Sequence, residues 1–192
     1  RGRPTSHRQF GEDVAILAGD GLYAEAFRHV LGEQRGDPAR VLAAVTELAA
    51  ATGVTGMVGG QYVDVTGVQG DLRRLHELKT GRLIRVSVEG VLLLSADAVP
   101  EPYRRFASEL GVLFQIVDDI LDVTGSDEDL GKPSGSDERH GKRTYVSEFG
   151  LDQARRLAGE SHAAARSALA EAAPSGAPEL ERLTDFIATR SS

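Results

Sequence analysis

The chain has 192 residues, 41% hydrophobic and 27% charged, the size and balance of one globular domain. Its net charge of −7 argues against a nucleic-acid binder, which would show a basic face, and the absence of cysteine excludes disulfides and thiolate metal sites. A cytoplasmic location is therefore expected, and an acidic chain can still take an anionic substrate if divalent cations invert the local charge. No signal-peptide pattern opens the chain, and the apolar run Val91-Leu92-Leu93-Leu94 is far too short to span a bilayer. Nothing resembles a transmembrane span, so no stable membrane anchoring is expected.

Helical periodicity dominates, and no sustained two-residue alternation appears. Gln9 to Leu31 predicts a helix with apolar residues at Val14, Leu17, Ala18, Leu22, Ala26, Phe27 and Val30. Gly32 and the Gly36-Asp37-Pro38 turn end it, and Asp37 with Pro38 supplies the cap and first turn of the next. That second helix runs from Ala39 to about Gly67, with Gly53, Gly56, Gly59 and Gly60 inside it. So many glycines cost helix stability and imply close approach by another helix or a ligand. Asp71 to Ser95, Pro102 to Thr124, Thr144 to Ala173 and Pro178 to Thr189 predict four more helices, with a polar loop over Gly125 to Gly141. The expected fold class is an all-α bundle.

Three carboxylates interrupt the apolar segment Phe114-Gln115-Ile116-Val117-Asp118-Asp119-Ile120-Leu121-Asp122. Unpaired carboxylates are costly to desolvate, so a cation is expected there. Asp118 and Asp122 are four apart and share a helix face, while Asp119 points about a third of a turn away. Oxygen ligands without His or Cys favour magnesium over zinc. A solvated helix end is the bland alternative, weakened by the apolar residues around most of the helix.

A loop carrying Gly131, Lys132, Gly135, Ser136, Asp137, Gly141 and Lys142 follows, a composition suited to phosphate. Upstream, Gln61 and Asp64 are three apart on the glycine-rich helix, and Lys79-Thr80-Gly81 lies within the third. Neither pair is diagnostic unless the helices converge on Asp118. His29, His76, His140 and His162 read as surface or helix-face residues.

In order and spacing, these motifs resemble those of the trans-isoprenyl diphosphate synthases (polyprenyl synthetases). The resemblance rests on Gly59-Gly60-Gln61-Tyr62-Val63-Asp64, Lys79-Thr80-Gly81, Phe114-Gln115 through Asp122, and Gly131-Lys132 through Asp137. Arg1-Gly2-Arg3-Pro4-Thr5-Ser6-His7 and Phe10-Gly11-Glu12 precede them in the same order. The likeness is strongest to bacterial farnesyl and geranylgeranyl diphosphate synthases.

The resemblance implies an all-α isoprenoid synthase bundle around a central cavity. In the family, two aspartate-rich motifs hold three magnesium ions around an allylic diphosphate. Asp118, Asp119 and Asp122 correspond to the second motif, with Asp118 the most direct ligand, and Asp137 to a water-mediated partner. Lys79, Lys132 and Lys142 match lysines that neutralise the diphosphate, and Gln61 and Asp64 match polar residues near it. Arg1 and His7 match residues beside isopentenyl diphosphate, while Thr80, Phe114 and Gln115 line the space where the substrates meet. The implied function is condensation of isopentenyl diphosphate with an allylic diphosphate to a C15 or C20 product, by a homodimer.

The family's first aspartate motif and its Gly-Lys-x-x-Arg segment are absent, and no initiator Met opens the chain. The expectation is that residues 1–192 form the C-terminal two-thirds of a single synthetase domain, inactive alone, within a longer protein. A class I terpene cyclase is the nearest alternative. Ser126 lies among the positions its second motif would use, but the expected Glu is missing. A non-catalytic partner subunit is another alternative, and would have no need of an intact acidic motif.

Overall fold

The computed structural model describes residues 3–67, 70–95, 98–125 and 142–190, and every regular element among them is helical. Helices α1 (Ser6–Phe10) and α2 (Glu12–Glu33) replace the single predicted helix from Gln9. Gly11 separates them at φ +87°, a backbone state that glycine enters without the Cβ penalty. Helix α3 (Pro38–Thr52) starts as expected: the Asp37 carboxylate accepts from the N–H groups of Ala39 at 2.8 Å and Arg40 at 3.2 Å.

The glycine-rich segment is a broken helix. Helix α3 stops at Thr52, and α4 (Met57–Thr66) begins after a turn spanning Gly53 and Gly56. Among the described residues, the stretch Pro38–Thr66 is nevertheless long and apolar enough by length and composition to cross a membrane. This corrects the reading that nothing resembles a span. That reading sought one unbroken run of large apolar residues, whereas this stretch is apolar through dispersed alanine, valine and glycine. In the bundle it is two helices, and α3 buries Val41, Ala44 and Val45 as it packs on α6.

The third predicted helix is continuous but not uniform. Helix α5 (Leu72–His76) passes into a single wide π-type turn, Glu77–Gly81, and then into α6 (Arg82–Ser95). Such turns are rare and concentrate at functional sites. Helix α7 (Glu101–Thr124) matches its prediction within a residue. Another split follows: α8 (Tyr145–Phe149) opens on a Thr144/Ser147 capping box, and Gly150 at φ +80° separates it from α9 (Leu151–Ala172). Helix α10 (Pro178–Thr189) has the predicted bounds.

Helix α7 is the axis of the core. Its Phe106, Leu110, Leu113, Val117 and Leu121 pack with Ala165, Ala168 and Leu169 of α9 and Ile187 of α10. Small residues on α9 let the two long helices approach closely, with Ala154 and Ala165 fully buried. A second cluster joins Leu72 of α5, Ile116 of α7, Tyr145 of α8 and Ala154 of α9. Helix α2 buries no residue, and its Ile16, Leu17 and Leu22 are exposed.

Candidate active site

The site is assembled where α4, the π-type turn and α7 meet. Gly60 makes this possible: a Cβ there would lie 2.4 Å from the Lys79 nitrogen and 2.7 Å from its Cα. The predicted close approach is therefore α4 against the backbone of the π-type turn. One helical turn on, Asp64 Oδ2 holds Lys79 Nζ at 2.5 Å, with both side chains mostly buried. Gln61 is on the same helix but exposed.

The next residue faces α7. Thr80 Oγ1 donates to Gln115 Oε1 at 3.3 Å, and Gln115 Nε2 donates to Asp119 Oδ1 at 2.8 Å. The other Asp119 oxygen, Oδ2, accepts from the Tyr145 backbone N–H at 2.7 Å. His76 Nε2 is 3.9 Å from that oxygen, and its ring stacks on Tyr145 with centroids 5.5 Å apart. His76, expected to be a surface or helix-face residue, has a side chain 11% exposed and enclosed by Asp119 and Tyr145. Burial pushes the Tyr145 phenol up to about 12, an effect opposed by Arg73 and reinforced by Asp119.

The three carboxylates of α7 have different surroundings. Asp118 is 46% exposed, whereas the side chain of Asp119 and the residue Asp122 are each 1% exposed. Arg190, just beyond α10, places Nη2 3.7 Å from Asp118 Oδ1, and its guanidinium lies 4.6 Å from the centre of the Phe114 ring. Sequence reasoning missed Arg190. It lies 72 positions from Asp118, and nothing in its local pattern marks it.

A groove of about 590 Å3 runs beside these residues, with Thr80, Leu83, Ile84, Val88, Phe114 and Ile187 in its wall and Lys79 on its border. It is largely apolar, so it suits a hydrocarbon chain rather than a sugar or peptide. The structure thus brings Asp64, Lys79, Thr80, Phe114, Gln115 and Asp118 to one region. His7 remains exposed on α1, with Nε2 3.2 Å from Thr5 Oγ1, and Lys142 is exposed ahead of α8. His162 pairs with Asp185 at 2.8 Å. Arg1, Lys132 and Asp137 lie outside the described residues. Among the described residues, no three His, Asp or Glu side chains converge as a metal-binding cluster.

The polyprenyl synthetase family model matches residues 1–174. The chain is 43% identical over 199 residues to a chloroplastic geranylgeranyl pyrophosphate synthase of Capsicum annuum, covering 99% of this chain and 54% of that protein. It is 41% identical over 203 residues to the large subunit 1 of a heterodimeric geranylgeranyl pyrophosphate synthase of Arabidopsis thaliana, covering 99% and 55%. The chain therefore spans about half the length of the curated relatives it matches. Among solved structures, geranylgeranyl pyrophosphate synthetase from Pyrococcus horikoshii superposes with a TM-score of 0.81 at 26% identity, covering 99% of this chain and 71% of that one. Geranyltransferase from Helicobacter pylori, complexed with magnesium and isoprenyl diphosphate, gives 0.80 at 28% identity, covering 96% and 62%. The chain belongs to the polyprenyl synthetase family.

Proposed function

We propose that the protein carrying this chain condenses isopentenyl diphosphate with an allylic diphosphate, giving a C15 or C20 prenyl diphosphate. The observation that carries this reading is the joining of two chemistries: Lys79 and Thr80 line an apolar groove, and Thr80 is bonded to Gln115, three residues before Asp118 on α7. The magnesium and isoprenyl diphosphate bound by the Helicobacter pylori geranyltransferase support the same ligand classes here.

Each residue has a physical task in that reaction. Asp64 fixes the Lys79 ammonium, so a diphosphate meets a cation already oriented rather than one that must be ordered. The allylic C–O bond breaks, and the diphosphate leaves with the electron pair. The double bond of isopentenyl diphosphate then attacks the allylic cation, forming the new C–C bond, and a proton is lost to the departing diphosphate. Thr80 and Gln115 offer oxygen dipoles near the cation without a strong nucleophile. The groove wall holds the hydrocarbon and excludes water that would quench it.

Asp118, 46% exposed, is an oxygen donor of the kind magnesium takes from one or two carboxylates plus substrate phosphates, whereas Asp122 one turn on is as buried as Asp119. Bound there, magnesium would stabilise the charge that develops on the leaving diphosphate. The test is prenyl transfer by the full-length protein from isopentenyl diphosphate to dimethylallyl, geranyl and farnesyl diphosphates, with product length read by chromatography. Hydrolysis or cyclisation without chain extension would overturn the proposal in favour of a cyclase.

A further inference from the structure

The two adjacent carboxylates, Asp118 and Asp119, face different surroundings. Asp118 is half exposed beside the groove-lining Phe114, and Asp119 is turned inward with 1% exposure. Both Asp119 oxygens are engaged by protein donors, Oδ1 by the Gln115 amide and Oδ2 by the Tyr145 N–H. Rotating Asp119 toward a cation would leave the buried Tyr145 N–H without an acceptor, at a cost of about 1–3 kcal/mol, and would also release the half-buried Gln115 amide. The Tyr145 donor is backbone at the start of α8 and cannot follow. We propose that Asp119 is a positioning residue, held by protein donors rather than by metal, that orients Gln115 and seats α8 on α7.

The orientation argument is chemical. An amide side chain can present either its oxygen or its NH2 in a given direction, and its neighbours decide which. An ionised carboxylate only accepts, so Gln115 must turn Nε2 toward Asp119. Its Oε1 is thereby committed to Thr80, on the π-type turn that also carries Lys79. Asp119 thus fixes, through Gln115, the acceptor that holds the groove-lining Thr80 hydroxyl. At the same time it joins α7 to α8, while His76 and the Tyr145 ring close the space around it. The expectation that Asp119 belongs with Asp118 as a magnesium ligand is replaced by a division of labour between neighbours. The link to catalysis rests on the proposed prenyl transfer; the hydrogen-bond assignment does not.

The experiment has two arms, both on the full-length protein. In the first, hydrogen exchange at the Tyr145 amide is followed with and without magnesium plus a non-ionisable allylic diphosphate analogue. Protection in both states is expected, and loss of protection on adding them would overturn the proposal. In the second, Asp119→Asn loses one acceptor and sets an NH2 against a donor. Its kcat is expected to fall about tenfold or more, with half-saturating magnesium and KM within about twofold of the parent. Asp118→Asn is the contrast, raising the magnesium requirement.

A magnesium shift in Asp119→Asn matching that of Asp118→Asn would overturn the proposal. So would a lowered Tm with unchanged kcat, which would make Asp119 merely structural. If Asp119→Asn does not fold, the exchange arm on the parent protein still decides. An inactive parent would sink the prenyl-transfer reading and leave that arm intact.

Discussion

Arg190 and Asp118 approach to 3.7 Å across the end of the bundle, and the same guanidinium covers the Phe114 ring at 4.6 Å. The end of α10 is thereby tied to the acidic face of α7 by a side chain that is 14% exposed. Planarity matters in this contact, because a guanidinium can stack on a ring and present an edge to a carboxylate at once. Arg190→Ala is expected to lower stability by about 1–2 kcal/mol. Arg190→Lys should recover less than half of that, since an ammonium cannot do both. Urea denaturation of the three proteins reads the difference, and full recovery by lysine would contradict the stacked geometry.

Gly60 sets how closely α4 lies on the π-type turn. A Cβ at this position meets the Lys79 backbone, which cannot swing aside as a side-chain tip could. Gly60→Ala should cost about 1–3 kcal/mol through overpacking. It should also reduce activity by displacing Lys79. Thermal unfolding and turnover measured on one preparation test both, and an unchanged Tm would contradict the packing.

Lys79 and Asp64 should contribute unequally. Lys79→Ala removes a preorganised cation from the leaving group and is expected to lower kcat about 100-fold. Asp64→Asn keeps the cation but relaxes its position, so a smaller fall of about tenfold is expected. Steady-state rates check the order, and a larger loss in Asp64→Asn would contradict the assignment of Asp64 as the support.

Tyr145 predicts a stability change at high pH. Its folded value of about 12 lies above the ordinary 10.0, so the fold binds the phenol proton more tightly than the unfolded chain does. That contribution is fully present below pH 10 and is lost as pH rises through 12. Tyr145→Phe should flatten this part of the stability curve. Phenolate absorbance compared between the parent and Tyr145→Phe should show a phenol ionising near pH 12 that the variant lacks. A difference between the two proteins that appears already at the ordinary 10.0 would contradict the buried setting.

Much of this fold was legible because helix signals are local. Asp37-Pro38 and Pro178 mark helix starts in the sequence and do so in the structure. Gly11 and Gly150 were missed as breaks because helical periodicity continues across them; only their positive φ ends the hydrogen-bond ladder. The π-type turn was likewise invisible, since its residues suit an ordinary helix. Motif order pointed to Lys79, Thr80, Gln115 and Asp118 together. Spacing turned Asp119 a third of a turn from Asp118 but could not show what holds it, because its backbone donor comes from Tyr145, 26 residues on. Arg190 was beyond reach for the same reason, being a contact made only by the packing of α10.

The most direct test is prenyl transfer by the full-length protein over a magnesium series, with Asp118→Asn alongside. A C15 or C20 prenyl diphosphate is expected from the parent, with a magnesium requirement raised about tenfold or more in the variant. No chain extension by the parent, or an identical magnesium curve for Asp118→Asn, would contradict the account.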